Sequence, residues 1–127
     1  MASERGLGES GEATTEAVLV VPVLMLLIVL VLQFGLWYHA EHVAQAAAQE
    51  GVRAARVEGG TAERGRQRTE DFLSRAGRTI VTGRTIDATR DPDTASVRVR
   101  GRAVAVVPGL ALAVSASATS PVERFRP

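Results

Sequence analysis

The chain has 127 residues, no cysteine, and fifteen basic residues against fourteen acidic ones, for a formal net charge of +1. The lack of cysteine excludes disulfides, cysteine-ligated zinc, thiol catalysis and a lipid-modified cysteine, and the length allows one small domain beside a membrane segment. In chain order the first feature is an apolar run from Ala17 to Leu32, carried on by Phe34 to Tyr38 past a lone Gln33. As a helix, Ala17 to Tyr38 would be about 33 Å long, enough to cross a hydrocarbon core of about 30 Å. The remainder is rich in Arg, Ala, Gly and Thr and offers too few large apolar side chains to wrap such a helix. A single transmembrane helix over 12–38 is therefore predicted. Pro22 would loosen it locally, which membrane helices tolerate. Trp37 and Tyr38 fall where an interfacial aromatic belt marks the far edge of the bilayer.

Just before the run stands Gly11-Glu12-Ala13-Thr14-Thr15-Glu16. Glu16 at the mouth of an apolar helix has a plain reading, a carboxylate on the positive end of the helix dipole, worth about 0.3–1 kcal/mol. The spacing offers another, because a cut after Gly11 would make Glu16 the fifth residue of the product, close to a new amino group. This arrangement is similar to the processing site of type IV pilin-like precursors. The stretch from Glu12 to Pro22, followed by Gln33-Phe34-Gly35-Leu36-Trp37-Tyr38, resembles the TadE-like family of tight-adherence pilus assembly proteins. Val43 to Ala55 and, more loosely, Val114 to Glu123 extend the resemblance.

The resemblance implies a pseudopilin-like membrane protein of a tight-adherence pilus or related secretion system. It implies a leader over 1–11, cleavage after Gly11 by a prepilin peptidase, and an assembly role for Glu16. That carboxylate would pair with the free amine of Glu12, its own or a neighbour's. Implied partners are the membrane, other pilin-like subunits and an inner-membrane assembly platform. Arg5 and the N-terminal amine stand on one side of the run, Arg53 and Arg56 on the other, so charge leans slightly toward an outside N-terminus. The resemblance implies the opposite: a single-pass protein of the cytoplasmic membrane with its C-terminal region extracytoplasmic.

Beyond the belt, residues 39–57 contain no proline and much alanine, and read as an extramembrane extension of the same helix. Ala40, Ala44, Ala47, Gly51 and Ala54 recur at spacings of three and four, a small-residue face suited to close helix packing. That face would meet either the chain's own C-terminal part or another subunit. Residues 58–60 read as a glycine hinge, and Thr61 as the cap of a second helix to about Arg75 with Thr69, Phe72, Leu73 and Ala76 as its apolar stripe. Strands are predicted over 79–88, 95–107 and 110–119, with turns at Asp91-Pro92-Asp93 and Pro108-Gly109. In the second strand Val97 and Val99 alternate with Arg98, Arg100 and Arg102, one face buried and one wet. The expected fold class is α+β: a single N-terminal transmembrane helix extended by an Ala-rich helix, then a small α+β region over 61–127 with one helix and an antiparallel sheet.

Sites of chemistry are sparse. His39 and His42 share a helix face around Glu41, but two ligands do not make a zinc site, and the reading is of solvated interfacial histidines. Ser96, Ser115, Ser117 and Ser120 have no histidine near them in sequence, and Gly6-Leu7-Gly8 precedes no strand. No enzyme activity, cofactor or metal is expected. From Gly60 onward arginines outnumber acidic residues, yet they are scattered, with only Phe72 and Phe125 as aromatics beyond the apolar segment. A solvated face leaning on anionic headgroups is expected rather than nucleic-acid binding. Two alternatives to the pilin-like reading stand. One is a secreted binding module whose apolar run is a signal peptide cut at Ala44-Gln45-Ala46; the other is an unprocessed bitopic protein whose arginines bind anionic lipid or cell-wall polymer.

Overall fold

Between Glu16 and Arg56 only Pro22, Gly35 and Gly51 oppose helix formation, and the helix runs through all three as α1, Ala2–Arg56. The computed structural model describes the backbone of residues 2–123 and the side chains of residues 14–123. The two halves of α1 differ in surroundings. Thr14 to Ile28 are exposed throughout, Leu19 at 65%, whereas from Gln33 onward one side is buried beneath the rest of the chain.

Gly59, with φ of 78°, reverses the chain after α1. Gly60 is packed where a Cβ would stand 2.6–2.9 Å from the carbonyl oxygens of Ala54, Ala55 and Val57, so the segment read as a hinge is a tight turn. Helix α2, Ala62–Ala76, begins with Thr61 as its cap, the hydroxyl accepting from the Arg64 amide at 3.0 Å. It returns antiparallel along α1. At the crossing, Gly51 faces Gly65 and Thr69: a Cβ on Gly51 would run into the Thr69 hydroxyl and lie 2.9 Å from the Gly65 carbonyl. Buried Thr69 loses no hydrogen bonding, since its hydroxyl donates to that same carbonyl at 2.8 Å. Of the predicted stripe, Thr69 and Leu73 are buried, Phe72 is half-buried and Ala76 is exposed.

Strands β1 (Val81–Arg90), β2 (Thr94–Ala103) and β3 (Ala113–Pro121) form an antiparallel sheet in that order. Val97, Val99, Ala103, Val114 and Ala116 form one core cluster with Ala40, Ala44, Ala47 and Ala48 of α1. Leu73 is the largest fully buried side chain. A core of alanine and valine leaves little thickness between helix and sheet, and small residues on α1 permit that approach. Arg98, Arg100 and Arg102 occupy the exposed outer face, as their alternation with valine predicts. A bulge between Thr82 and Thr85 lies where Arg84 leaves β1 to meet Glu70 of α2 at 2.6 Å.

The strand bounds differ from those predicted: the first spans Val81–Arg90 rather than 79–88, the second ends at Ala103 rather than at Val107, and the third starts at Ala113 rather than at Leu110. Residues 104–112 form a loop that turns at Pro108-Gly109, with φ of 82° at Gly109 and the Leu110 amide donating to the Val107 carbonyl at 3.1 Å. Proline then a left-handed glycine at the two central positions is the signature of a type II turn. The chain is thus α+β: a long apolar N-terminal helix that is a candidate membrane span, a short second helix and a three-stranded antiparallel sheet.

Candidate functional site

The distinctive geometry lies along one edge of α1. Gln33, Trp37, Glu41 and Gln45 follow one another at intervals of four residues, about 6 Å of rise each. Alternate residues of an antiparallel strand are about 6.8 Å apart, so the two series stay nearly in step. The Trp37 indole nitrogen donates to the Ala113 carbonyl at 2.9 Å, the Glu41 carboxylate accepts from the Ser115 amide at 3.2 Å, and the Gln45 amide donates to the Ser117 carbonyl at 3.1 Å. These are outward groups of β3, a strand with a neighbour on one side only. Left open, such an edge would be a template for pairing with another chain; here helix side chains cover it.

Gln33 is the lowest rung and the most completely used. It is fully buried although it interrupts an exposed apolar helix. Its amide nitrogen donates to the Val104 carbonyl at 3.2 Å, and its amide oxygen accepts from the Val106 amide at 2.8 Å and the Val107 amide at 3.4 Å. The lone polar residue of the run therefore clips the 104–112 loop to the helix. At the far end, the Glu123 amide donates to the Arg56 carbonyl and Arg56 pairs with Glu123 at 3.4 Å. The sheet is fastened to α1 at both ends.

The architecture is an exposed apolar helix continuing into a head that packs on its second half. The same helix carries the family signal. Residues 11–53 match the TadE-like protein family model. No curated protein and no solved structure matches the chain. The TadE-like match takes in Glu16, the apolar run, the whole edge ladder and most of the alanine face, and ends before α2 and the sheet.

Within the TadE-like segment Glu16 is exposed at the start of the bare helix. Gly11 and Glu12, the expected cleavage residues, lie outside the residues whose side chains are described. Ala40, Ala44, Ala47 and Gly51 are buried against the chain's own sheet and second helix, and Ala54 is half-buried. Trp37 is half-buried through its bond to the head, while Tyr38 is 63% exposed and meets His42 edge to face at 4.4 Å. His39 and His42 face outward. Among the described residues no group of three His, Asp or Glu side chains could hold a metal ion. The serines serve structure: Ser115 and Ser117 offer backbone groups to the ladder, and the Ser96 hydroxyl accepts from Thr119 at 3.2 Å.

In the sequence Gln33 reads only as an interruption of the run, Glu41 as the residue between two histidines and Gln45 as part of a small-residue stretch, so their shared role is not apparent. The signal in the sequence is four polar or amphipathic residues at a spacing of four, Gln33, Trp37, Glu41 and Gln45, which places them along one edge of a helix.

Proposed function

We propose that this chain is a membrane-anchored, pilin-like TadE-like protein that takes part in assembling a tight-adherence pilus or a related secretion system. The observation that carries this reading is the bare apolar helix, which coincides with the family match and which no described part of the chain buries. Exposure of aliphatic side chains from Val18 to Ile28 is unfavourable in water by about 25 cal/mol per Å² of apolar surface, and ceases to be so in hydrocarbon. The head then stands outside the cytoplasmic membrane, with the N-terminus in the cytoplasm. Its role is structural rather than enzymatic. Cleavage after Gly11 by a prepilin peptidase would release the amine that Glu16 needs, and that pair would set the register of neighbouring pilin-like subunits delivered by an inner-membrane platform. Because the alanine face is taken up by the chain's own head, lateral association falls to the bare span.

A signal peptide cut after Ala46 would remove Gln33, Trp37, Glu41 and Gln45 together with the buried Ala40, Val43 and Ala44. A head deprived of its central helix counts against the secreted reading. The unprocessed bitopic reading retains one specific support, the row of Arg98, Arg100 and Arg102 open on the outer face of β2.

The deciding experiment is the N-terminal sequence and intact mass of the protein extracted from its native membrane. A start at Glu12 supports the pilin-like reading; a soluble product starting at Ala47 replaces it with secretion, and an intact N-terminus in the membrane replaces it with a bitopic anchor.

A further inference from the structure

The loop between β2 and β3, Val104-Ala105-Val106-Val107-Pro108-Gly109-Leu110-Ala111-Leu112, contains no polar or charged side chain. A surface loop normally runs through water and is hydrophilic. This one is apolar along its whole length, and Val106 is 49% exposed. Its position on α1 gives the reason. With Glu16 at the near boundary, a hydrocarbon core of about 30 Å ends about twenty residues further on, near Leu36 and Trp37. Gln33, seventeen residues beyond Glu16, lies about 5 Å short of that boundary, and tilt of the helix only takes it deeper. The loop is bonded to Gln33, so it sits at the same depth.

Resting on the membrane-anchored reading above, we infer that the 104–112 loop is a second membrane contact, an apolar finger of the head inserted into the outer edge of the same bilayer beside the span. Irregular backbone does not face lipid deep in the hydrocarbon, so the insertion stays shallow, and pairing of the loop's polar groups lowers its cost. Gln33 supplies that pairing for the Val104 carbonyl and the Val106 and Val107 amides. The Val104 amide donates to the Ile80 carbonyl and the Leu110 amide to that of Val107. An insertion of about 5 Å matches the depth at which apolar groups settle at the boundary of headgroups and acyl chains. Where β2 leads into the loop, exposed Arg102 stands opposite Ala113, the residue bonded to Trp37, which puts a cation at the level of the headgroups. The bilayer is the occupant because the loop is continuous with the bare span through Gln33.

The chain has no cysteine, so single-cysteine variants can be labelled cleanly. In the full chain reconstituted into phosphatidylcholine and phosphatidylglycerol vesicles, an environment-sensitive fluorophore is attached separately at L24C, V106C and T89C. It is then challenged with lipids bearing a nitroxide on the acyl chain. The expected result is quenching at positions 24 and 106 and none at 89. In a Gln33→Leu background quenching at 106 should fall while that at 24 persists. Quenching at 24 alone would overturn the insertion and leave the membrane anchor standing. A label at 106 shielded from water yet unquenched by lipid would also overturn it, by showing that another copy of the chain covers the loop. No quenching at 24 would end the anchored reading and the insertion with it.

Discussion

Gln33 and two glycines of α1 illustrate how single positions acquire their roles. Replacing Gln33 by Ala strands three backbone groups of the loop, and a buried polar group without a partner costs about 1–3 kcal/mol. Chemical unfolding of the purified protein in detergent should show a loss in that range. Gly35 and Gly51 share a helix and a residue type but not an environment. A Cβ at Gly35 meets nothing within 4 Å, so Gly35→Ala should be neutral or stabilising by up to about 1 kcal/mol through helix propensity. At Gly51 the same change drives a methyl group into Thr69 and the Gly65 carbonyl, and should cost about 1–3 kcal/mol as α2 is pushed away. The same unfolding assay measures both.

At the scale of elements, two contacts tie the parts of the head together and can be probed separately. Glu41→Ala should leave the fold intact while the Ser115 amide loses protection from hydrogen exchange by up to about tenfold, the share of one hydrogen bond. Glu70 and Arg84 join α2 to β1, and the hydrogen bond from Arg84 holds the Glu70 carboxyl below its ordinary range. A carboxyl whose folded pKa lies below its unfolded one stabilises the fold above the ordinary carboxylate range of about 4.3 and ceases to as pH falls through the folded value. Glu70 is 43% exposed in its side chain, so screening keeps the effect at or below about 1 kcal/mol. Glu70→Gln should therefore lose about that much at pH 7 and show a shallower decline of stability than the parent protein as pH falls below about 4.3.

The elements differ in how openly the sequence announces them. The long helix shows in its apolar run and in the alanines beyond it, Thr61 marks the start of α2, and the Val/Arg alternation of β2 separates its two faces before any coordinates are known. Ala105 and Val107 keep the phase of Val97, Val99 and Ala103, so periodicity alone carries the strand on to Val107. Just past Ala103 the Val104 carbonyl is taken by Gln33, seventy-one residues earlier, a partner that local periodicity does not report. The same holds for the alanine face: spacing shows that something packs closely there, while only the tertiary structure shows that the partner is the chain's own sheet and α2.

For the molecule as a whole, the proposed role separates insertion from assembly. Glu16→Ala removes a charge at the boundary of an apolar helix and nothing from the head, since Glu16 lies seventeen residues before the first rung of the ladder. Membrane fractionation should find the variant inserted and folded, and electron microscopy should find cells without pili; normal pili would refute the assembly role. Because one unbroken helix serves both the span and the head, the two cannot swivel independently. The head also occupies most of the circumference of upper α1, leaving an open sector through Tyr38, His42, Gln49 and Arg53. Between Glu16 and Leu32 the side chains are exposed except at the half-covered Val29 and Leu30. Spans that touch do so with axes about 8–10 Å apart, a separation narrower than a head of helix, sheet and second helix. Side-by-side copies must therefore turn their open sectors toward each other or shift along the axis by the height of a head. The width of the head acts as a steric gauge that selects the angles and offsets at which neighbours can pack.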